Sequence, residues 1–291
     1  MTKLVSNMKG VSVVIPAKNE EKGLRKVLPR LKELDCVKEV IVVDDGSSDD
    51  TRSVCESYEV RCISHPHSIG NGAAIKTGAR AASCETIVFM DGDGQHRPQD
   101  IPKLLSVFSS GYDLVVGARS KSGQASYARF LANSLYNKFA SWMSETNVED
   151  LTSGFRVVNA KKFKQFLYML PNGFSYPTTS TMAFLRSGYA VGFVDIEVMS
   201  RDGKSHIRIW KDGIKFLLII FKITTLYSPL KLFSLASAGL FCSGVGYYLY
   251  TFLSLGRFTN MGLALILSSV LVFLIGLVSE QISTLFYKDN A

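Results

Sequence analysis

The N-terminal region has no long apolar run. Its first, Val11 to Ile15, is far shorter than the hydrophobic region of a secretory leader, so no secretory signal is expected. Metal-type cysteine spacing is also missing: Cys36, Cys55, Cys62, Cys84 and Cys242 are an odd set of five with no CxxC pair. They read as reduced thiols, cytosol-facing or in a core, with Cys242 inside an apolar segment. Internal repeats and low-complexity tracts are absent. Neither a Walker A loop nor a GxGxxG dinucleotide fingerprint occurs, which discounts ATPase and dehydrogenase chemistry. Charge is missing from one long stretch, because between Leu232 and Ser279 only Arg257 is ionised.

What is present narrows the field. A chain of 291 residues can hold one large or two modest domains, and a hydrophobic content of 47% is high for a water-soluble protein, so part of it is expected in a membrane. The 33 basic against 25 acidic residues give a net charge of +8, which favours anionic partners: nucleic acid, lipid head groups or phosphorylated substrates. Charge alone does not choose among them.

The chain is organised around Met90 to Asp100, MDGDGQHRPQD, directly after the apolar run Ile87-Val88-Phe89-Met90. Asp91 and Asp93 flank a glycine at the end of an expected buried strand, where an open parallel sheet binds its ligands. Oxygen ligands in this spacing suit Mg²⁺ or Mn²⁺, and Mg²⁺ takes one or two protein carboxylates and completes its shell with phosphates and water. Gln95 and His96 can add ligands or substrate contacts. A bare DxD is equally compatible with a strand-to-helix turn in which Asp and Gly do turn chemistry and Asp100 starts a helix.

The preceding residues supply context. Val11 to Ile15 reads as a buried strand, and Leu24, Val27, Leu28, Leu31 and Leu34 recur at helical spacing. A second strand, Val40 to Val43, runs into Asp44-Asp45-Gly46-Ser47-Ser48-Asp49-Asp50-Thr51, an acidic turn able to cap the next helix. Strand-like runs at Arg61 to Ser64, Ile87 to Met90 and Leu114 to Val116 continue the alternation, predicting an α/β fold with a mostly parallel sheet and helices on both faces. Two acidic strand ends then lie in one sheet. Between them Gly70-Asn71-Gly72-Ala73-Ala74-Ile75-Lys76-Thr77-Gly78 puts small residues at a helix start, which permits close approach to a nucleotide.

Taken together, VVIPAKNEE, VVDDGSSDDT, GNGAAIKTG, DGDGQHRP, GARS and DLTSGFR resemble, in order, the motifs of family 2 glycosyltransferases with the GT-A (Rossmann-like) fold. The nearest group is similar to the polyprenyl-phosphate glycosyltransferases, such as dolichyl-phosphate mannose synthase and bacterial enzymes that load a sugar onto undecaprenyl phosphate. The resemblance runs from about Val11 to about Ile207. It implies nucleotide-sugar contacts at Pro16, Glu20, Asp44, Asp45, Asn71, Asp91 and Arg201, and metal ligation by Asp91, Asp93 and Gln95. It also implies a lipid-phosphate site at Arg119, Arg129, Ser134 and Ser205. Two positions depart from the pattern: Asn71 replaces a basic residue of some members and Arg97 a frequent proline, so nucleotide and sugar preference do not carry over.

The implied chemistry is an inverting transfer of one hexose to polyprenyl phosphate. A divalent cation at Asp91 and Asp93 stabilises charge on the departing diphosphate. A phosphate acceptor is largely dianionic near pH 7 and needs no general base, only cationic positioning, for which Arg119, Arg129 and Arg201 are candidates. Asp150 has two readings: general base in enzymes that glycosylate a hydroxyl, or orientation of the acceptor loop through a basic partner, the second being favoured. Neither His96 nor His206 is assigned to catalysis. The expected catalytic set is therefore Asp91, Asp93, Arg119, Asp150 and Arg201. A non-catalytic scaffold binding sugar nucleotides or anionic lipid is the alternative from a different class, and the intact Asp91, Asp93, Gln95 and Arg201 set argues against it.

The C-terminal third changes character. Leu232 to Leu253 and Met261 to Val278 each approach the roughly 20 residues that span a bilayer, predicting a transmembrane hairpin. Tyr247, Tyr248 and Tyr250 mark an interface. Ahead of it, Arg208, Lys211, Lys215 and Lys222 cluster within about 60° of a helical wheel beside the apolar run Phe216 to Phe221, the pattern of an interfacial basic helix. Lys231 and Lys288 flank the hairpin on one side and Arg257 sits in its turn, which places both termini and the catalytic domain in the cytoplasm, at the cell (cytoplasmic) membrane. Glu280 is expected either to pair with Lys231 or to snorkel. The predicted organisation is a catalytic domain over residues 1–206, an amphipathic region over 207–231 and a hairpin with a short tail over 232–291. Expected partners are a UDP- or GDP-hexose, polyprenyl phosphate and the bilayer, with no nucleic acid; a homo-oligomer is compatible with the sequence.

Overall fold

The computed structural model describes residues 10–119, 127–173, 175–198, 221, 225, 227–257 and 259–288. The chain divides into two compact units, residues 1–206 and 207–291. The first is an α/β unit of seven strands: β1 (Val11–Ala17), β2 (Val37–Asp44), β3 (Arg61–Ser64), β4 (Thr86–Phe89), β5 (Leu114–Arg119), β6 (Arg156–Asn159) and β7 (Val191–Ile196). They form one sheet in the order β3-β2-β1-β4-β6-β5-β7.

The apolar runs dictate this arrangement. Every residue of β1 and β4 is buried, as expected for strands covered on both faces. On one face, Val13, Ile15, Val42, Val88 and Val157 share a core with Leu24, Val27, Leu28 and Leu31 of helix α1 (Glu21–Lys32) and with Val54 and Cys55 of α2 (Thr51–Ser57). On the other, α3 (Asn71–Ala81) packs closely enough that a Cβ at Gly78 would lie 2.2 Å from Val14 Cγ1. Phe89 meets Phe163 of α6 (Ala160–Gln165) with ring centroids 4.7 Å apart on that same side. The other α-helices among the described residues of this unit are α4 (Ile101–Phe108), α5 (Tyr127–Ser144) and α7 (Tyr176–Arg186).

Parallel pairing holds for β1 with β2 and β4, for β2 with β3, and for β5 with β7. Strand β6 runs antiparallel between β4 and β5, so the sheet is mixed at its centre. Neither β6 nor β7 was among the strands expected from sequence. Strand β6 has only four residues, too few for a period to register, and its first is an arginine.

The second unit holds two long helices, α8 (Pro229–Leu255) and α9 (Asn260–Lys288). Their apolar spans, Pro229–Ser254 and Asn260–Leu285, are 26 residues each with mean hydropathy of 1.4 and 2.7, and little of either is buried. At 1.5 Å per residue such a helix reaches about 39 Å, more than the roughly 30 Å hydrocarbon layer. Both run beyond the expected spans, because the backbone stays helical through the flanking polar residues. Gly256, in the left-handed conformation at φ 61°, ends α8. The helices meet through small residues: a Cβ at Gly276 would fall 2.5 Å from Phe233 Cβ, and Ser237 Oγ donates to the Ser269 carbonyl at 2.8 Å. Glu280 accepts from the Leu230 backbone N–H at 3.2 Å, which ties α9 to the first turn of α8.

Candidate active site

A cleft of about 470 Å³ opens at the carboxyl ends of β1, β2 and β4, lined by Pro16, Glu20, Asp45, Asn71, Asp91 and Asp93 among others. Its volume lies in the range that takes a small-molecule ligand. The sequence-predicted residues Pro16, Glu20, Asp45, Asn71, Asp91 and Asp93 are thus brought together. Asp44 is not: it is buried outside the lining and accepts the Ser47 N–H at 2.9 Å.

The acidic turn after β2 is mostly occupied in holding backbone. Asn19, in the left-handed region at φ 57°, accepts from the Ser48 N–H at 2.8 Å and takes Ser47 Oγ on its own N–H at 2.9 Å. Asp49 accepts from the Glu21 and Thr51 N–H groups. These contacts join the turn after β1 to the turn after β2.

Asp45 organises the loop that leads into α3. Its Oδ1 accepts from His65 Nδ1 at 2.7 Å and the Ile69 N–H at 2.9 Å, and its Oδ2 from Ser68 Oγ at 2.7 Å and the Gly70 N–H at 2.8 Å. These donors fill the roughly four acceptor positions of a carboxylate. Burial alone would raise its pKa, but the hydrogen bonds from His65, Ile69, Ser68 and Gly70 hold it down at about 2. His65 Nε2 in turn lies 2.9 Å from Thr77 Oγ1 of α3. Asn71, the first residue of α3, has its buried side-chain Oδ1 at the cleft without a partner among the described residues.

The Asp91-Gly92-Asp93 turn is pressed against two glycines. A Cβ at Gly23 of α1 would stand 2.0 Å from the Gly92 carbonyl oxygen, and one at Gly154 would stand 2.5 Å from Asp91 Oδ2. Asp93 Oδ1 accepts from the Gln95 N–H at 3.1 Å. His96 is buried, stacks on Phe155 with ring centroids 5.1 Å apart, and places Nε2 3.5 Å from Asp91 Oδ2. Burial would raise the pKa of Asp91; His96 beside it and the nearby charges of Arg156 and Arg119 keep it below the ordinary carboxylate range. Among the described residues no group of three or more His, Cys, Asp and Glu side chains converges on a metal position. Two carboxylates facing an open cleft fit a cation that draws the rest of its shell from substrate phosphates and water.

Behind this turn, Arg119 and Asp150 form a two-pronged ion pair. Arg119 Nε donates to Oδ2 at 2.7 Å and Nη2 to Oδ1 at 3.0 Å, and Nη2 also reaches Thr152 Oγ1. The Asp150 side chain is 7% exposed, and Thr152 adds its N–H at 3.0 Å. Burial would push its pKa up, but the Arg119 contacts outweigh this and leave it below the usual range.

Sequence reasoning gave no role to one residue of the cleft's far wall and one buried behind it. Tyr176, 1% exposed at the start of α7, lines the cleft beside Pro177. Arg156, fully buried at the start of β6, lies opposite Phe89 of β4 and donates to the carbonyls of Ser153 and Pro177 and to Ser180 Oγ and Thr181 Oγ1. A buried arginine can be suspected from the apolar company of Phe155, Val157 and Val158, but its partners come from α7, far along the chain. Ser134 is half-buried on α5, and Arg129 lies on the same helix with its side chain outside the described residues. Arg201, Ser205, His206 and the basic cluster Arg208, Lys211, Lys215 and Lys222 also lie outside them.

A mixed Rossmann-like sheet carrying an acidic turn at a cleft has the fold of GT-A enzymes, and an apolar two-helix hairpin follows it. Residues 12–167 match Glycosyl transferase family 2 and residues 228–285 match the GtrB C-terminal hairpin, and the chain belongs to that glycosyltransferase family. It is similar to the uncharacterized glycosyltransferase YkcC of Bacillus subtilis, at 25% identity over 94% of this chain and 89% of that protein. It is also similar to undecaprenyl-phosphate 4-deoxy-4-formamido-L-arabinose transferase of Proteus mirabilis, at 37% identity over 44% of this chain, a match spanning 42% of that protein. The fold is shared with glucosyl-3-phosphoglycerate synthase from Mycobacterium tuberculosis in complex with Mn²⁺, uridine diphosphate and glucosyl-3-phosphoglycerate. There the TM-score is 0.61 at 22% identity, over 76% of this chain and 81% of that one.

Proposed function

We propose that this enzyme transfers a single hexose, with inversion, from a nucleoside diphosphate sugar to a polyprenyl phosphate at the cytoplasmic face of the membrane. The observation that carries the reading is the acidic turn, Asp91-Gly92-Asp93, seated in the cleft between the β2 loop and the β6–α7 wall. Asp91 and Asp93, with Gln95 beside them, would hold Mg²⁺ or Mn²⁺; when bound, such a cation supplies Lewis-acid stabilisation to a departing diphosphate. The Mn²⁺ and uridine diphosphate of the M. tuberculosis complex support this. Pro16 and Glu20 line the end of the cleft beside Asn71, where a nucleotide would lie, while Asp45 fixes the loop that forms that end.

The acceptor follows from three supports. The P. mirabilis relative is named for undecaprenyl phosphate, the hairpin keeps the enzyme at the membrane, and Asp150 is poorly placed to be a base. Both of its oxygens already accept from Arg119, through the guanidinium and the backbone N–H, and Oδ1 also accepts from Thr152, which leaves little to receive a proton. A phosphate acceptor dispenses with that base. Lys231 and Lys288 at the open end of the hairpin, against Arg257 in its turn, favour a cytoplasmic catalytic unit.

The test is a panel of UDP- and GDP-sugars offered to the purified enzyme in detergent with undecaprenyl phosphate, with Mg²⁺, Mn²⁺ or a chelator. One donor should give an organic-extractable product that the chelator suppresses, and Asp93→Ala should abolish it with membrane insertion intact. Near-normal turnover by Asp93→Ala would overturn the metal assignment.

A further inference from the structure

The described part of the catalytic unit buries one arginine that no carboxylate pairs directly. Arg156 is 0% exposed, and the groups it donates to are the Ser153 and Pro177 carbonyls and the Ser180 and Thr181 hydroxyls, all neutral. Among the described residues no carboxylate forms an ion pair with it. A guanidinium stays protonated in proteins, so the charge is present. Burying it costs free energy that neutral hydrogen bonds only partly offset, and an apolar residue of similar size would often serve stability as well.

Its position gives the charge a use. Two of the oxygens that hold Arg156 belong to the segments that wall the cleft: Ser153 lies between Thr152 and Gly154, and Pro177 is itself a lining residue. Its guanidinium carbon sits 5.8 Å from the ring centroid of Tyr176, a residue that lines the cleft on the same wall. The positive charge is therefore one side chain behind the surface, in a medium of low dielectric where it is poorly screened.

We infer that Arg156 is a positioning residue whose buried charge, held only by neutral hydrogen-bond partners, fits this cleft to the diphosphate of its donor, acting through the Gly154 and Tyr176 wall without touching the ligand. This rests on the donor reading given above. A purely structural arginine would support the nucleoside and the diphosphate parts of the ligand alike. A charge-bearing one acts on the diphosphate alone.

The experiment measures binding of UDP, GDP, uridine and guanosine to the full-length enzyme in detergent by ligand-observed NMR, in EDTA so that no metal enters the comparison. Wild type, Arg156→Met and Arg156→Lys are compared, with thermal melts to establish folding. The expected result is that Arg156→Met weakens the preferred diphosphate by about tenfold or more and leaves its nucleoside unchanged, while Arg156→Lys stays within about threefold of wild type for both. Unchanged diphosphate binding in Arg156→Met, or equal weakening of diphosphate and nucleoside, would overturn the inference. Should Arg156→Met fail to fold, Arg156→Lys decides: a retained preference for diphosphate over nucleoside supports the charge, and its loss refutes it. A wild type that binds neither diphosphate, in EDTA or with Mg²⁺ restored, would overturn the donor reading itself, and this inference with it.

Discussion

Replacing Gly23 by alanine adds one methyl group where α1 lies against the acidic turn. That methyl would stand 2.0 Å from the Gly92 carbonyl oxygen and 2.8 and 2.9 Å from the backbone carbons of Asp93. Comfortable contacts between such atoms are about 3.5 Å, so helix or turn must retreat by more than about 1 Å. Both obstacles are backbone, so no side-chain rotation relieves the clash. Stability should fall by no more than about 2 kcal/mol, because overpacking costs about 1–3 kcal/mol and alanine gains about 1 kcal/mol over glycine inside a helix. Activity is another matter: a displacement of this size at reacting groups costs about 100-fold in rate. The assay is sugar transfer beside a thermal melt, with Gly78→Ala as control. There the new Cβ meets Val14 Cγ1 at 2.2 Å in the core, so stability should fall and the turnover of folded enzyme should hold. Turnover by Gly23→Ala within about threefold of wild type would refute the claim that this contact sets the position of Asp91 and Asp93.

Other outcomes follow from the same geometry. Asp45, held at about 2 when folded against a usual value near 3.9, contributes about 2 kcal/mol of stability that is fully present above about pH 4 and lost as pH falls through about 2. Melts of wild type and Asp45→Asn from pH 7 downward should therefore converge in acid; a constant gap would contradict this. Asp150→Ala strands the Arg119 charge and should cost about 3 kcal/mol, while Arg119→Met with Asp150→Ala together should cost less than the two summed. An additive cycle would show the pair to be uncoupled. Asp150→Asn should retain the chemical step, and its loss with acceptor binding intact would restore the general-base reading.

Much of this architecture was legible because apolar runs and charge gaps are local signals. Val11 to Ile15 and Val40 to Val43 announced β1 and β2, the Leu24 to Leu31 spacing announced α1, and the lack of any charge but Arg257 from Leu232 to Ser279 announced the hairpin. Strand direction carries no such mark, so the antiparallel β6 at the sheet's centre was invisible. In the cleft, the acidic strand ends were readable as candidates, but their division of labour was not. Asp44 and Asp45 are adjacent and chemically alike, yet one is pinned beneath its own turn while the other receives four donors from the 65–70 loop. Arg156 is the extreme case, since residues 21 to 25 positions downstream decide that it is buried.

The central claim is that the acceptor is a phosphate on a polyprenol, and the most direct measurement offers the enzyme undecaprenyl phosphate and undecaprenol side by side with the labelled donor. The account predicts an organic-extractable, mild-acid-labile product from the phosphate and none from the alcohol. Equal or greater transfer to undecaprenol, giving an acid-stable glycoside, would contradict it.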